Sequence, residues 1–120
     1  MARIYIIDDD PIWTTEGKRV LERSNHDVYT RSDLRSGLST LQYDVPDLVI
    51  TDKNLGERYG VIPLLDYLHE ERPNTKVVVW SGEDNVQARK VLRADAFIDK
   101  TKVFLDGDGL TPVIKRLLAA

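Results

Sequence analysis

The chain has no cysteine, which removes a disulfide framework, a thiol nucleophile and zinc-finger spacing from consideration. No apolar run approaches the ~20 residues that a membrane span needs, and the N-terminus carries no basic-plus-apolar leader. Lys and Arg number 17 against 20 Asp and Glu, a net charge of −3, and the basic residues are scattered rather than gathered into a stripe. Direct nucleic-acid binding is therefore not expected; any effect on nucleic acid would pass through a partner. No membrane association is expected either, and the expected location is cytoplasmic. At 120 residues the chain suits one domain, spanning 1–120, with a single core and no need for staples.

What is present alternates between strand and helix, without repeats or low-complexity stretches. Arg3-Ile4-Tyr5-Ile6-Ile7 reads as a strand, followed by Pro11 at the first position of a helix to about Arg23. Gly17 weakens that helix by roughly 1 kcal/mol relative to Ala. A short strand at Asp27-Val28-Tyr29-Thr30 precedes a helix capped by Ser32 or Asp33, with Leu34, Leu38 and Leu41 on one face. Asp47–Thr51 and Lys76–Trp80 are near-continuous apolar strands. Between them Val61, Leu64, Leu65 and Leu68 keep helical spacing up to Pro73. Glu83 and Asp84 suit the positive end of the next helix. Ala96–Asp99 is the fifth strand, and Leu110, Val113, Ile114, Leu117 and Leu118 mark the last helix. Apolar strands of this kind, separated by helices, imply an α/β fold with a parallel sheet covered on both faces.

Polar residues stand where those strands end. Asp8, Asp9 and Asp10 follow the first, Asp52 the third, Ser81 the fourth and Lys100 the fifth. Ligands of open α/β sheets bind outside the carboxyl ends of the strands, so these side chains should converge in one crevice. Each has an ordinary reading by itself: an acidic helix N-terminus, a turn Asp, a hydroxyl bonded to backbone, a solvated lysine. Together, acids, a hydroxyl and a lysine suit a divalent cation and a phosphoryl group. Asp8 and Asp9 are hard oxygen ligands of the kind that hold Mg²⁺ or Mn²⁺. Three clustered carboxylates would raise one another's pKa values unless a cation sat between them. Asp10, directly before Pro11, is assigned to capping the helix instead.

These residues, in this order on these elements, resemble the receiver domain of response regulators from end to end. The resemblance implies a flavodoxin-like (βα)5 three-layer sandwich with strand order 2-1-3-4-5, an order flavodoxin shares with a chemotaxis member of that family. It implies that Asp52 accepts a phosphoryl group, that Asp8, Asp9 and Asp52 hold the metal, and that the backbone carbonyl of Asn54 completes its shell. Ser81 would bond a phosphoryl oxygen and Lys100 would pair first with the acceptor and then with the phosphoryl group. Phe97 matches the aromatic switch of the last strand, although a plain core aromatic is nearly as good a reading. Asn54 and Glu83 match the positions that flank the hydrolytic water. The donor would be a sensor histidine kinase or a histidine phosphotransfer protein. The signal would leave through the fourth helix, fifth strand and fifth helix toward a downstream protein. On this reading the chain is a signalling switch, not an enzyme acting on a separate substrate. Ending at Ala120 directly after the last helix, it is read as a single-domain regulator or a piece of a longer one.

Four positions depart from the family pattern. Thr101 stands where Pro usually follows the lysine through a cis bond, and Gly56 replaces a common Pro after the acceptor. Lys53 puts a charge next to Asp52, where it could attract a partner or screen the acids; Arg93 replaces a Gly before the last strand. None removes a catalytic group. Asp106-Gly107-Asp108-Gly109 looks like a calcium loop, but Leu117 stands where the final Glu belongs, so a surface turn is expected. His69-Glu70-Glu71-Arg72-Pro73 resembles a histidine-kinase phosphorylation box, but its Pro comes one residue early and no ATP-binding domain follows; His26 is read as a surface residue at a strand edge. Two alternatives stay open: a degenerate receiver that binds partners without phosphorylation, and a haloacid-dehalogenase-like phosphatase. The second lacks the hydroxyl or small residue it needs after the acids, and the chain is too short for its cap.

Overall fold

The computed structural model describes residues 1–82, 86–101 and 109–119. Five strands, β1 (Arg3–Ile7), β2 (Asp27–Arg31), β3 (Leu48–Asp52), β4 (Lys76–Ser81) and β5 (Ala96–Asp99), form one parallel sheet in the order β2-β1-β3-β4-β5. The described helices are α1 (Pro11–Glu22), α2 (Leu34–Leu41), α3 (Ile62–Glu71), α4 (Val86–Val91) and α5 (Thr111–Ala119). The expected order is therefore the observed one.

Alternation along each strand divides the core in two. Ile4, Ile6, Leu48, Ile50, Val78 and Trp80 point to one side, where Val20 and Leu21 of α1 and Ile114 of α5 meet them. Tyr5, Ile7, Val49, Val77 and Val79 point to the other, against Leu41 of α2, Leu64, Leu65 and Leu68 of α3 and Ala88 of α4. Both faces are dry, which is why the central strands read as nearly unbroken apolar runs.

Local chemistry sets the helix starts. Asp10 is the N-cap of α1, its carboxylate accepting from the Ile12 N–H at 3.0 Å, with Pro11 following. Asp33, rather than Ser32, caps α2 by accepting from the Ser36 N–H at 2.7 Å. Asp47 lies just outside β3, and its carboxylate accepts from the Arg3 N–H at 2.8 Å, tying the start of β1 to the loop before β3. The expected acidic start of α4 at Glu83 and Asp84 lies outside the described residues, as does most of the Asp106–Gly109 turn.

Gly17 has a reason that helix propensity alone does not supply. A Cβ there would come within 2.9 Å of both Ile6 Cδ1 and Trp80 Cη2, so glycine lets α1 approach the sheet. Gly56 has a different one: its φ of +76° lies in the left-handed region, which proline, fixed near −65°, cannot enter. The loop after the acceptor therefore takes a path unlike one built around proline.

Candidate functional site

The carboxyl ends of β1, β3, β4 and β5 bring the expected residues to one end of the sheet. Asp8 follows β1 directly, Asp52 is the last residue of β3, Ser81 is the last of β4, and Lys100 follows β5. Register places Ser81 beside Asp99, and the Lys100 N–H donates to the Ser81 carbonyl at 2.9 Å. Asp8, Asp9 and Asp52 each offer a carboxylate oxygen, and these atoms lie within 4.8 Å of one another. Asp8 is 1% exposed and Asp52 9%, while Asp9 faces solvent. Converging hard oxygens with one side open fit Mg²⁺, which keeps part of its water shell. Beside the acids a cleft of about 540 Å³ is bordered by Asp9, Lys53, Asn54, Arg58 and Gln87.

Lys100 is the counter-charge. Its Nζ lies 2.7 Å from Asp8 Oδ2 and 3.7 Å from Asp52 Oδ1, so the tighter partner is Asp8 rather than the expected acceptor. The ammonium also stands 5.3 Å from the Trp13 ring centre and 5.8 Å from that of Trp80. Burial pushes the Asp52 carboxyl above the ordinary Asp range, and Asp8 and Asp9 add to this. Lys100 and the Asn54 backbone N–H pull the other way without cancelling it. A bound cation would relieve the same repulsion.

Asn54 anchors its own loop, its Oδ1 accepting from the Tyr59 N–H at 3.0 Å. Phe97 is half-buried against the α2–α3–α4 side of the core, with the Arg89 guanidinium 5.1 Å above its ring. Glu83 lies outside the described residues.

The departures from the family pattern resolve locally. No peptide bond among the described residues is cis, so the Lys100–Thr101 bond is trans. Asp99 Oδ1 holds that turn instead, accepting from Thr101 N–H at 3.0 Å and Thr101 Oγ1 at 2.8 Å. Lys53 is buried, which argues against its attracting a partner and leaves the screening of the acids. The Arg93 carbonyl lies 3.0 Å from His69 Nε2, a contact that needs the proton on that nitrogen and joins α3 to the loop before β5. His26 is not a plain surface residue: its Nδ1 accepts from the Ala2 N–H at 3.2 Å, and partial burial holds it below the ordinary histidine range.

Sequence reasoning missed Trp80. It reads as strand filler before Ser81, yet its indole N–H donates to Asp8 Oδ2 at 2.9 Å. A buried tryptophan needs an acceptor for its N–H, a need legible in the sequence, but the choice of Asp8 is made by packing.

Comparison with known proteins agrees with this geometry. The family model for the response regulator receiver domain matches residues 4–105. The nitrogen assimilation regulatory protein NtrX of Azorhizobium caulinodans is 29% identical over 117 residues, which are 96% of this chain and 26% of that protein. The transcriptional regulatory protein ComA of Bacillus subtilis is 33% identical over 85 residues, 68% of this chain and 40% of that protein. This chain thus spans well under half the length of either relative. Among solved structures, NtrX of Brucella abortus superposes with a TM-score of 0.86 at 30% identity, covering 98% of this chain and 27% of that one. The response regulator TrrA of Thermotoga maritima, crystallised with Mg²⁺ and BeF, gives 0.82 at 21% identity, covering 98% and 99%; at that identity it supports the fold alone. Nothing in these matches favours a haloacid-dehalogenase-like phosphatase. With three acids and the lysine gathered at the strand ends, and with the family model matching most of its length, the chain belongs to the response regulator receiver domain family.

Proposed function

We propose that this domain is a phosphorylation switch in which Asp52 takes a phosphoryl group from a phosphohistidine of a sensor kinase or histidine phosphotransfer protein. The observation that carries the reading is Asp52 within reach of Asp8, Asp9 and Lys100, next to a cleft that Asp9 and Asn54 border. An Asp52 carboxylate oxygen forms the new O–P bond as the P–N bond breaks, and the imidazole keeps that electron pair. Asp8, Asp9, Asp52 and the Asn54 carbonyl would hold Mg²⁺ or Mn²⁺, which when bound neutralises the crowded carboxylates and the incoming phosphoryl oxygens. Lys100, 3.7 Å from Asp52, supplies positive charge on the other side. Ser81, buried at the end of β4, would donate its hydroxyl to a phosphoryl oxygen. Its inward movement would vacate space for Phe97, and the signal would pass to the face made by α4, β5 and α5.

The domain turns over no separate substrate on this reading: one phosphoryl group enters per chain and is later lost to water. Its setting is cytoplasmic, in keeping with the observation that no helix among the described residues is long and apolar enough to cross a membrane. Output depends on a downstream protein partner. Beryllofluoride with Mg²⁺ mimics the phosphorylated acceptor and tests the switch directly. Amide signals of Asp52, Ser81, Phe97 and α4 should shift strongly and those of α2 little. Shifts confined to the acid pocket would leave a phosphate-binding site without a switch, and no response at Asp52 would make this a receiver that works without phosphorylation.

A further inference from the structure

Asp8 is held by three donors that differ in kind. Lys100 Nζ and the Trp80 indole N–H share Oδ2, at 2.7 and 2.9 Å, while the Asp10 backbone N–H takes Oδ1 at 2.9 Å. A carboxylate offers about four acceptor positions, so about one direction remains for a cation. The Trp80 side chain is wholly buried and its six-membered ring lies against α1 where Gly17 has no Cβ. Trp13 meets it edge-on with ring centres 6.3 Å apart. The indole cannot swing away, and its N–H is neutral, so its donation does not change with pH or with the charge of the site.

Lys100 is the opposite case. It already lies between Asp8 and Asp52, and a phosphoryl group on Asp52 would draw the ammonium off Asp8. The Asp10 N–H then grips one oxygen only, about which the carboxylate could pivot. We propose that Trp80 is a positioning residue: its indole N–H fixes the Asp8 carboxylate for Mg²⁺ while Lys100 shifts from Asp8 to the phosphorylated Asp52, and Gly17 provides the space that lets the indole reach. The shift of Lys100 rests on the phosphoryl-transfer reading above, whereas the effect of Trp80 on the metal does not require transfer.

The test is an Mg²⁺ titration of the unaltered protein and of Trp80→Phe, followed by the amide signals of residues 8–10. Loss of an outer hydrogen bond to a metal ligand should weaken Mg²⁺ roughly tenfold. Labelling of the variant by acetyl phosphate at saturating Mg²⁺ should be kept, since Asp52 and Lys100 are intact. A tryptophan that only filled the core would lower the thermal midpoint on substitution and leave Mg²⁺ affinity unchanged, and that result overturns the proposal. Should Trp80→Phe fail to fold, the unaltered protein decides. Its Trp80 indole ¹H–¹⁵N signal, assigned through proximity to Gly17, should exchange slowly with D₂O and shift as Mg²⁺ binds; an indole signal indifferent to Mg²⁺ overturns the proposal equally. An indole that responds to Mg²⁺ in a protein never labelled by acetyl phosphate would sustain the positioning role while removing the phosphoryl-transfer reading.

Discussion

Asp9 and Asp10 are neighbours with the same side chain and opposite surroundings. Asp9 contributes an oxygen to the acid cluster, whereas Asp10 spends its carboxylate on the Ile12 N–H at the start of α1. Asp9→Ala should therefore weaken Mg²⁺ binding well beyond Asp10→Ala, while Asp10→Ala should cost about 1 kcal/mol of stability through the lost cap. Mg²⁺ titrations and urea denaturation of both variants check the division, and equal Mg²⁺ losses would contradict it. At this scale the sequence was informative for residues whose role follows from position. Asp8, Asp9, Asp52, Ser81 and Lys100 sit at strand ends, and strand ends converge in this class of fold. Residues whose role depends on a partner far along the chain stayed hidden. Trp80 meets Asp8 across 72 positions, and Lys53 proved buried although its type suggests solvent. Which distant group a strand residue meets, and how deeply a residue just past a strand is covered, are set by packing, which period and composition do not encode.

At the scale of elements, helices and strands were legible because their apolar periods are clear, and their ends because Asp10, Asp33 and Pro11 have specific capping chemistry. What joins the elements was less visible. Tyr5, in the middle of β1, sends its hydroxyl to Asp44 Oδ2 at 2.5 Å, and Arg3 Nη1 bonds the other oxygen of that carboxylate at 2.7 Å. Tyr5 also stacks on Tyr29 of β2 at 5.3 Å between ring centres, so one residue ties β1, β2 and the loop before β3. Burial, reinforced by the Asp44 hydrogen bond, pushes its phenol up to about 12. Hydrogen bonds to charged groups contribute about 1.5–3 kcal/mol, and Tyr5→Phe should lose an amount in that range at pH 8. A raised folded-state value means that this contribution is complete below pH ~10, where an unfolded tyrosine is still protonated, and is lost as pH rises toward 12. Urea denaturation of both proteins at pH 8 and near pH 11 should show the gap narrowing; a gap that widens with pH would contradict the assignment.

For the whole molecule, the parallel sheet in order β2-β1-β3-β4-β5 is what turns separate short motifs into one site. The fold was legible at this level because two dry faces leave a distinctive run of apolar strands between amphipathic helices. The trans bond at Lys100–Thr101 and the positive φ at Gly56 were not, since they are backbone choices made by loops. The lifetime of the signal is also a property of the whole assembly, because it depends on how open the cleft leaves the acyl phosphate. Asn54 borders that cleft and is polar and modest in size, so water should reach Asp52 and the signal should be brief. Asn54→Leu should lengthen the lifetime of the phosphorylated protein by obstructing an in-line water. Decay of label after removal of the phosphodonor measures it, and an unchanged lifetime would rule out gating of water at this position.

The most direct test of the account is the intact mass of the protein after incubation with acetyl phosphate and Mg²⁺. A single added phosphoryl group is expected, with none when Mg²⁺ is chelated and none in Asp52→Asn. Labelling of Asp52→Asn at full yield would place the acceptor elsewhere and contradict the assignment of this site.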